Sequence, residues 1–164
     1  MTQVASVYAQ ALYDLALSEG LSESILTEPE ILRQSFAAEP AFIKLLSNPS
    51  LTKKERCDIL DDSFRGKIQP YLLNFLKILT EKGYMRYFAD CCKSYRDLYN
   101  RDNGILPVTA VTAVAMDARQ CQRLSEKLAA LTGKKIQLQN RVDETVLGGV
   151  RLDYDGMRLD DTVA

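Results

Sequence analysis

This 164-residue sequence has four aspartates near its C-terminus, a residue type that could support catalysis. Paired carboxylates can act as general acid and base, or bind a divalent cation. The sequence contains no histidine, which removes the commonest acid–base catalyst and metal ligand. Because the aspartates occur in predicted strands, we interpret them as a solvent-exposed face, with an acidic active site as the alternative. They are Asp153, Asp155, Asp160 and Asp161.

The four cysteines are the second group that could do chemistry. They lack the Cys-x-x-Cys spacing of redox and zinc motifs, and no histidine is present to complete a zinc site. We therefore expect reduced thiols that serve as small apolar side chains, with no catalytic residue and no metal ligand among them. They are Cys57, Cys91, Cys92 and Cys121.

A Gly-Lys pair at Gly133 and Lys134 is similar to the end of a phosphate-binding loop. The upstream glycine of that motif is missing, and Lys135 stands where Ser or Thr is required. Gly133 also follows a predicted helix, whereas a phosphate loop precedes one. A helix C-cap explains the glycine, and we expect no cofactor.

The charge distribution restricts the kinds of molecule that this protein could bind. The formal net charge is −1, which argues against a general nucleic-acid-binding protein. Residues 1–31 contain five acidic residues and no Lys or Arg, which indicates either a solvated helix face or an acidic rim for a basic partner. No run approaches the roughly 18 apolar residues of a membrane span, so membrane association is expected only through partners.

Helical periodicity dominates the first hundred residues. The capping box Thr52-x-x-Glu55 starts one helix, while the fifth begins at Pro70 and ends at Gly83. Short turns between the helices predict a compact six-helix bundle.

The second predicted helix, about residues 21–38, contains a proline at position 29. Thr27 and Glu30, on either side of this proline, have the spacing of a possible capping box. The helix is therefore expected to be kinked or split at Pro29.

At Gly104 the apolar period changes from 3.6 to 2, which is typical of strands. One predicted helix interrupts the strands, and Asp155-Gly156 is a hairpin signal. The predicted fold is α+β, with an N-terminal six-helix bundle over residues 1–104 followed by a small βαβββ domain over residues 105–164.

The first and fifth predicted helices carry more apolar surface than one buried face requires. On the first helix one stripe is Val4, Tyr8, Ala11 and Leu15, and the other is Ala5, Ala9, Leu12 and Ala16. On the fifth, Leu72, Phe75, Leu76 and Leu79 form a core-type stripe, and Tyr71, Asn74 and Ile78 form a second. Either both helices are buried all round, or their second stripes line a groove for an amphipathic partner helix.

Several motifs in fixed order resemble the delta subunit family of bacterial and chloroplast ATP synthases, to which the mitochondrial oligomycin-sensitivity-conferring protein also belongs. The similar segments are Tyr8-Ala9-Gln10-Ala11-Leu12-Tyr13-Asp14-Leu15-Ala16, Asn48-Pro49-Ser50-Leu51-Thr52-Lys53-Lys54-Glu55, Thr132-Gly133-Lys134 and Val142-Asp143-Glu144-Thr145-Val146-Leu147-Gly148-Gly149. Each motif alone is weak, and their combination at these spacings carries the resemblance.

The resemblance implies a non-catalytic stator subunit in the peripheral stalk of a rotary, proton-translocating synthase. Its N-terminal domain would bind the N-terminal helix of the alpha subunit between the first and fifth helices, and its C-terminal domain would contact the b subunits. Transferred by position, that groove consists of Tyr8, Ala11, Asn74 and Ile78, to which helical spacing adds Leu15. The implied location is the cytoplasmic side of the bacterial membrane, or the thylakoid membrane for a chloroplast chain.

The end of the sequence departs from the family pattern. After Leu159-Asp160-Asp161-Thr162-Val163-Ala164 the basic, leucine-rich helix typical of the family does not follow. We therefore expect normal binding of the alpha helix and weaker binding of the stalk. Two other classes stay open: a small hydrolase with the acidic cluster as its site, and a free helical regulator. Co-purification with synthase subunits would separate these.

Overall fold

The computed structural model describes residues 3–146, 148–155 and 157–161. The chain divides into two compact units, Met1–Tyr99 and Asn100–Ala164. Helices make up the first unit, and the second contains a four-stranded sheet. The class is therefore α+β, as the sequence predicts.

Six α-helices precede the first strand within the described residues, with one 3-10 turn, η1, between the last two. The elements are α1 (Gln3–Ser18), α2 (Ser24–Ala38), α3 (Pro40–Leu46), α4 (Lys53–Phe64), α5 (Pro70–Lys82), η1 (Met85–Tyr87) and α6 (Phe88–Asp102). The predicted ends of two helices are confirmed. Thr52 and Glu55 form a reciprocal capping box before α4, and Gly83 ends α5 with φ of 74°, in the left-handed region.

The expected split of the second helix is wrong, because α2 continues through Pro29. The Thr27 hydroxyl donates to the Glu23 carbonyl at 3.4 Å instead of capping a new helix. Pro29 is buried, and its carbonyl accepts from the Cys92 thiol at 3.6 Å. Packing against α6 therefore offsets the local cost of a proline without an amide hydrogen.

The core of the first unit is built from one stripe on each of the two over-apolar helices. All members of these stripes are buried: Ala5, Ala9, Leu12 and Ala16 on α1, and Leu72, Phe75, Leu76 and Leu79 on α5. Three of the four α1 members are alanines that expose no surface. The Tyr13 and Tyr95 rings pack edge to face beside them, with centroids 5.2 Å apart.

A carboxylate on α2 joins that helix to α6. Glu30 accepts hydrogen bonds from Arg33 of its own helix and from Arg96 of α6, the latter at 2.8 Å. The hydrogen bond from Arg33 is the main cause that holds the pKa of Glu30 below its ordinary value, against the opposing effect of burial.

We predict that Glu30→Gln lowers the free energy of unfolding at pH 7 by about 0.5–1 kcal/mol, since the group is only partly buried. The folded-state pKa is lowered, so the stabilisation is present above the ordinary pKa of a glutamate and is lost as pH falls through the folded value. In urea unfolding across a pH series, the variant and the unaltered chain should therefore converge at acidic pH. Asp97→Asn, which removes an exposed pair with Lys93, is the control with a smaller effect. A difference that persists undiminished at low pH would contradict the ion-pair explanation.

The second unit has the predicted order βαβββ. Its elements are β1 (Ile105–Thr112), α7 (Ala118–Thr132), β2 (Lys135–Val142), β3 (Val150–Tyr154) and β4 (Met157–Asp161). The strand order is β2-β1-β3-β4, with β1 parallel to β2 and antiparallel to β3. Tyr154 pairs with Met157, and Asp155 between them has φ of 49°, so the hairpin that Asp155-Gly156 predicts is formed.

Alternate residues of the sheet form a small core on the face that α7 covers. The buried members are Leu106, Val108, Ala110 and Leu152, against which Leu124 and Leu128 of α7 pack. The register places these strand residues side by side, with Ala110 opposite Leu152. This face therefore carries the hydrophobic stabilisation of the second unit.

We predict that limited trypsin digestion first cleaves after Arg101. This arginine is exposed in the last turn of α6, and Gly104, with φ of 64°, ends the helical segment two residues before the buried part of β1. Helix ends fray more easily than strands or helix interiors. Arg101→Gln should slow formation of the two fragments, as followed by mass spectrometry. First cleavage inside α4, near Ile59, would place the boundary elsewhere.

Candidate partner-binding surface

The outward stripe of α1 is apolar and uncovered. Ala11 is exposed, the Leu15 side chain is 37% exposed and Val7 is 59% exposed. Tyr8 is half-buried, because its ring packs edge-on against Tyr84 with centroids 5.7 Å apart. All four side chains fall within a little over a quarter of the helix circumference at 100° per residue.

The outward stripe of α5 is similar. Ile78 is 37% exposed, Tyr71 is 36% exposed and Asn74 is exposed between them. Asn74 also borders a cavity of about 260 Å³ that Pro70 and Lys77 help to line. The alternative that both helices are buried all round is therefore wrong.

The two helices belong to one hydrophobic core. Leu12 of α1 and Phe75 of α5 line the same internal pocket. The Tyr8 contact with Tyr84, which follows the C-cap of α5, places the first half of α1 beside the end of α5. The structure thus puts the predicted residues on two helices that share a core, each with its apolar remainder at the surface.

Two exposed residues of this surface, Val7 and Tyr71, are absent from the predicted site. Val7 lies four residues before Ala11, which is the helical spacing that would have identified it. Tyr71 lies in the predicted second stripe of α5 but was not included in the groove. We define the outer apolar surface as Val7, Tyr8, Ala11, Leu15, Tyr71, Asn74 and Ile78.

The two described carboxylates of the C-terminal acidic cluster, Asp153 and Asp155, have different surroundings. Asp153 lies on the face opposite α7 and is surrounded by Arg151 at 3.4 Å, Arg158 at 3.5 Å and Arg141 at 4.0 Å. Asp155 is in the hairpin turn. The side chains of Asp160 and Asp161 lie outside the part of the structure that is described. Because Asp153 is surrounded by arginines, it forms a structural ion-pair cluster. This arrangement does not support the hydrolase alternative.

The remaining candidates for chemistry also have structural explanations. Gly133 is the C-cap of α7, with φ of 71°, and its amide donates to the Ala129 carbonyl at 2.8 Å, so the C-cap interpretation is confirmed. Within residues 3–146, 148–155 and 157–161, no group of His, Cys, Asp or Glu side chains is arranged to hold a metal ion.

All four cysteines are free thiols. Burial raises the pKa of Cys91 to about 11 and that of Cys92 to about 12. A reactive cysteine needs the opposite shift, because the thiolate is the nucleophile. Cys91 and Cys92 therefore serve as core side chains, as the sequence predicts.

We predict that iodoacetamide at pH 8 labels Cys121, which is partly exposed, well before Cys91 and Cys92. At that pH only about one thousandth of a thiol with a pKa of 11 is ionised, and burial also blocks access. Peptide mass spectrometry would give the order, and labelling in urea should remove the difference. Rapid modification of Cys91 or Cys92 in the folded chain would contradict their assignment to the core.

An exposed apolar surface on a helical unit, with no convergent catalytic groups among the described residues, is typical of proteins that act by binding other proteins. The helices in the described part of the chain include none that is long and apolar enough to cross a membrane. Residues 4–164 match the family model described as the ATP synthase delta (OSCP) subunit. The chain therefore belongs to the ATP synthase delta (OSCP) family, which consists of structural, non-catalytic subunits of the synthase.

Individual relatives agree with this assignment. The chain is 34% identical over 160 residues to ATP synthase subunit delta of Alkaliphilus oremlandii, covering 98% of this chain and 89% of that protein. It is 32% identical over 163 residues to ATP synthase subunit delta 1 of Syntrophotalea carbinolica, covering 99% and 91%. A chain in the cryo-EM structure of the Toxoplasma gondii mitochondrial ATP synthase hexamer has the same fold, with a TM-score of 0.77 at 18% identity and coverage of 99% and 92%. The expectation of a stator subunit and not an enzyme is confirmed.

Proposed function

We propose that this chain links the catalytic head of a rotary ATP synthase to its peripheral stalk by holding one partner on each unit. The first unit binds the N-terminal helix of an alpha subunit on the outer apolar surface. The second contacts the b subunits. The observation that carries the proposal is the exposure of apolar stripes on both α1 and α5, after each has buried a full stripe in the core.

The chemistry of the outer apolar surface suits an amphipathic helix. Leu15 and Ile78 offer branched apolar side chains, and Ala11 between the larger residues of α1 permits close approach of a partner backbone. Asp14 and Glu19 are exposed nearby on α1 and just after it. Basic residues beside the apolar stripe of the partner would complement these carboxylates.

The mechanical role follows from the rotary mechanism. Torque from the rotor is useful only if the ring of catalytic subunits is held still. A subunit bound to both head and stalk resists rotation by dissociating slowly, since affinity among related complexes is set mostly by the off-rate. The chain therefore needs no chemistry of its own, and it would reach the cytoplasmic side of the membrane through its partners.

We predict that Ala11→Asp weakens binding of an alpha N-terminal peptide by about a hundredfold without unfolding the first unit. Ala11 is exposed in the free chain, so a carboxylate there stays hydrated until the partner covers it. Its desolvation would then cost about 3 kcal/mol, or about a hundredfold in affinity. Isothermal titration calorimetry measures the affinity, and circular dichroism melting checks the fold.

Two matched variants control this experiment. Ser6→Asp places the same charge on an exposed position of α1 far from the outer apolar surface and should leave binding within a few-fold. Ala9→Asp places it at a position that exposes no surface and should lower the melting temperature strongly. If Ala11→Asp melts early like Ala9→Asp but binds the peptide normally when cold, Ala11 belongs to the core and the proposed surface is misplaced.

A further inference from the structure

The first unit carries an open cavity of about 500 Å³ that is lined by residues of α2, α3 and α4 and by Glu39. Its volume is within the range of about 300–1,000 Å³ that is typical of small-molecule sites. None of the residues that line it belongs to the outer apolar surface. We define this aromatic cavity by its apolar residues and its charged residue, which are Phe36, Ala41, Phe42, Leu45, Phe64 and Glu39.

Three phenylalanine rings in mutual contact form one side of the aromatic cavity. The rings of Phe36 and Phe42 are stacked with centroids 5.5 Å apart, and the Phe64 ring lies edge-on to both, with centroids 6.1 Å from Phe36 and 5.9 Å from Phe42. Phe36 is buried and also packs on Phe88 of α6, with centroids 5.5 Å apart. Because the core holds these rings, a ligand would not have to order them on binding.

Glu39 is the only charged residue among those that line the aromatic cavity. Its backbone amide donates to the Ser35 carbonyl at 3.0 Å, and its carbonyl accepts from the Phe42 amide at 3.1 Å, so the residue is held between α2 and α3. Its side chain is exposed, and within the part of the chain that the structure describes it makes no cap hydrogen bond and no ion pair. The carboxylate is therefore free to pair with a cation on a ligand.

The rings and the carboxylate both attract positive charge. The face of an aromatic ring is the negative part of its quadrupole, so an ammonium group within about 6 Å of the ring centroid is attracted. The Glu39 carboxylate adds a Coulombic attraction, which is stronger beside apolar walls than in bulk water. Because no Lys or Arg lines the cavity, no lining side chain repels a cation, whereas an anion would be repelled by Glu39.

We propose that the aromatic cavity binds small organic cations in which an ammonium group is joined to an apolar body. The apolar body packs on Ala41, Leu45 and the phenylalanine rings, and the ammonium group lies beside Phe42 and Glu39. This site is independent of the proposed binding of the alpha helix, because the two surfaces share no residue. A cation bound there would act on the first unit while the partner helix stays in place.

The test is an NMR titration of the isotope-labelled full chain with phenylbutyltrimethylammonium, with the neutral phenylbutanol and with the anionic phenylpentanoate. The cation should shift the ring signals of Phe42 and Phe64 and the methyl signals of Leu45. It should bind about fivefold or more tighter than the alcohol, and the anion should bind more weakly than both. Equal binding of the cation and the alcohol would contradict the proposal. Shifts of the Leu15 and Ile78 methyl groups in place of Leu45 would put the cation on the outer apolar surface and would also contradict it.

Charge-neutral variants of two glutamates test the role of the carboxylate. Glu39→Gln should weaken binding of the cation by about threefold or more and leave binding of the alcohol unchanged. Glu23→Gln removes an exposed carboxylate before α2, outside the cavity, and should change neither affinity. If the two variants weaken binding of the cation equally, overall charge is responsible and the proposed site is wrong.

Two further variants test the walls of the cavity. Phe42→Leu keeps an apolar side chain but removes a ring, so the advantage of the cation over the alcohol should fall. Ala41→Leu keeps the proposal testable if Phe42→Leu does not fold, because Ala41 is exposed and a larger side chain there would fill the cavity without entering the core. Both the cation and the alcohol should bind this variant several-fold more weakly at an unchanged melting temperature, and undiminished binding would contradict the proposal.

A competition experiment tests the independence of the two surfaces. The alpha peptide should bind the full chain with the same affinity with and without a saturating concentration of the cation. Competition between the peptide and the cation would overturn the assignment of the cation to the aromatic cavity.

Discussion

The number of apolar stripes that a small helical unit can bury is the constraint on which this molecule depends. α1 and α5 are apolar over more of their circumference than the core can enclose. Ala5, Ala9 and Ala16 of α1 and the larger side chains of α5 are buried in the same core. The remaining apolar residues have no place inside and stay at the surface. Their burial would require a partner, and this is the basis of the binding role proposed for the unit.

The two units differ in the chemistry that they leave exposed. The first shows an apolar surface with carboxylates nearby, and the second shows an apolar cleft beside α7 that Arg123 and Lys127 line.

Features set by neighbouring residues could be predicted from the sequence. The Thr52–Glu55 capping box, the Gly83 helix end and the Asp155 turn each depend on a few residues in a row. The double stripes of α1 and α5 follow from periodicity alone, although Val7 was missed by starting the stripe at Val4. Periodicity does not distinguish the two stripes, and the resemblance alone implies which of them would face a partner.

Features that depend on distant contacts could not be predicted. Pro29 indicates a break, yet packing against α6 keeps α2 continuous. Asp153 and Asp155 are close in sequence, but Asp155 lies in the hairpin turn and three arginines surround Asp153. The connection from β1 to α7 is held by Asn140 of β2, which bonds to Ala110, Thr112 and the Met116 amide.

The most direct test of the central claim is to locate a bound alpha N-terminal peptide on the isotope-labelled full chain by NMR. If the peptide binds at the outer apolar surface, intermolecular NOEs are expected from the peptide to the methyl groups of both Leu15 on α1 and Ile78 on α5. A peptide that binds with NOEs to neither methyl group, for instance only to Leu45 of α3, would contradict it.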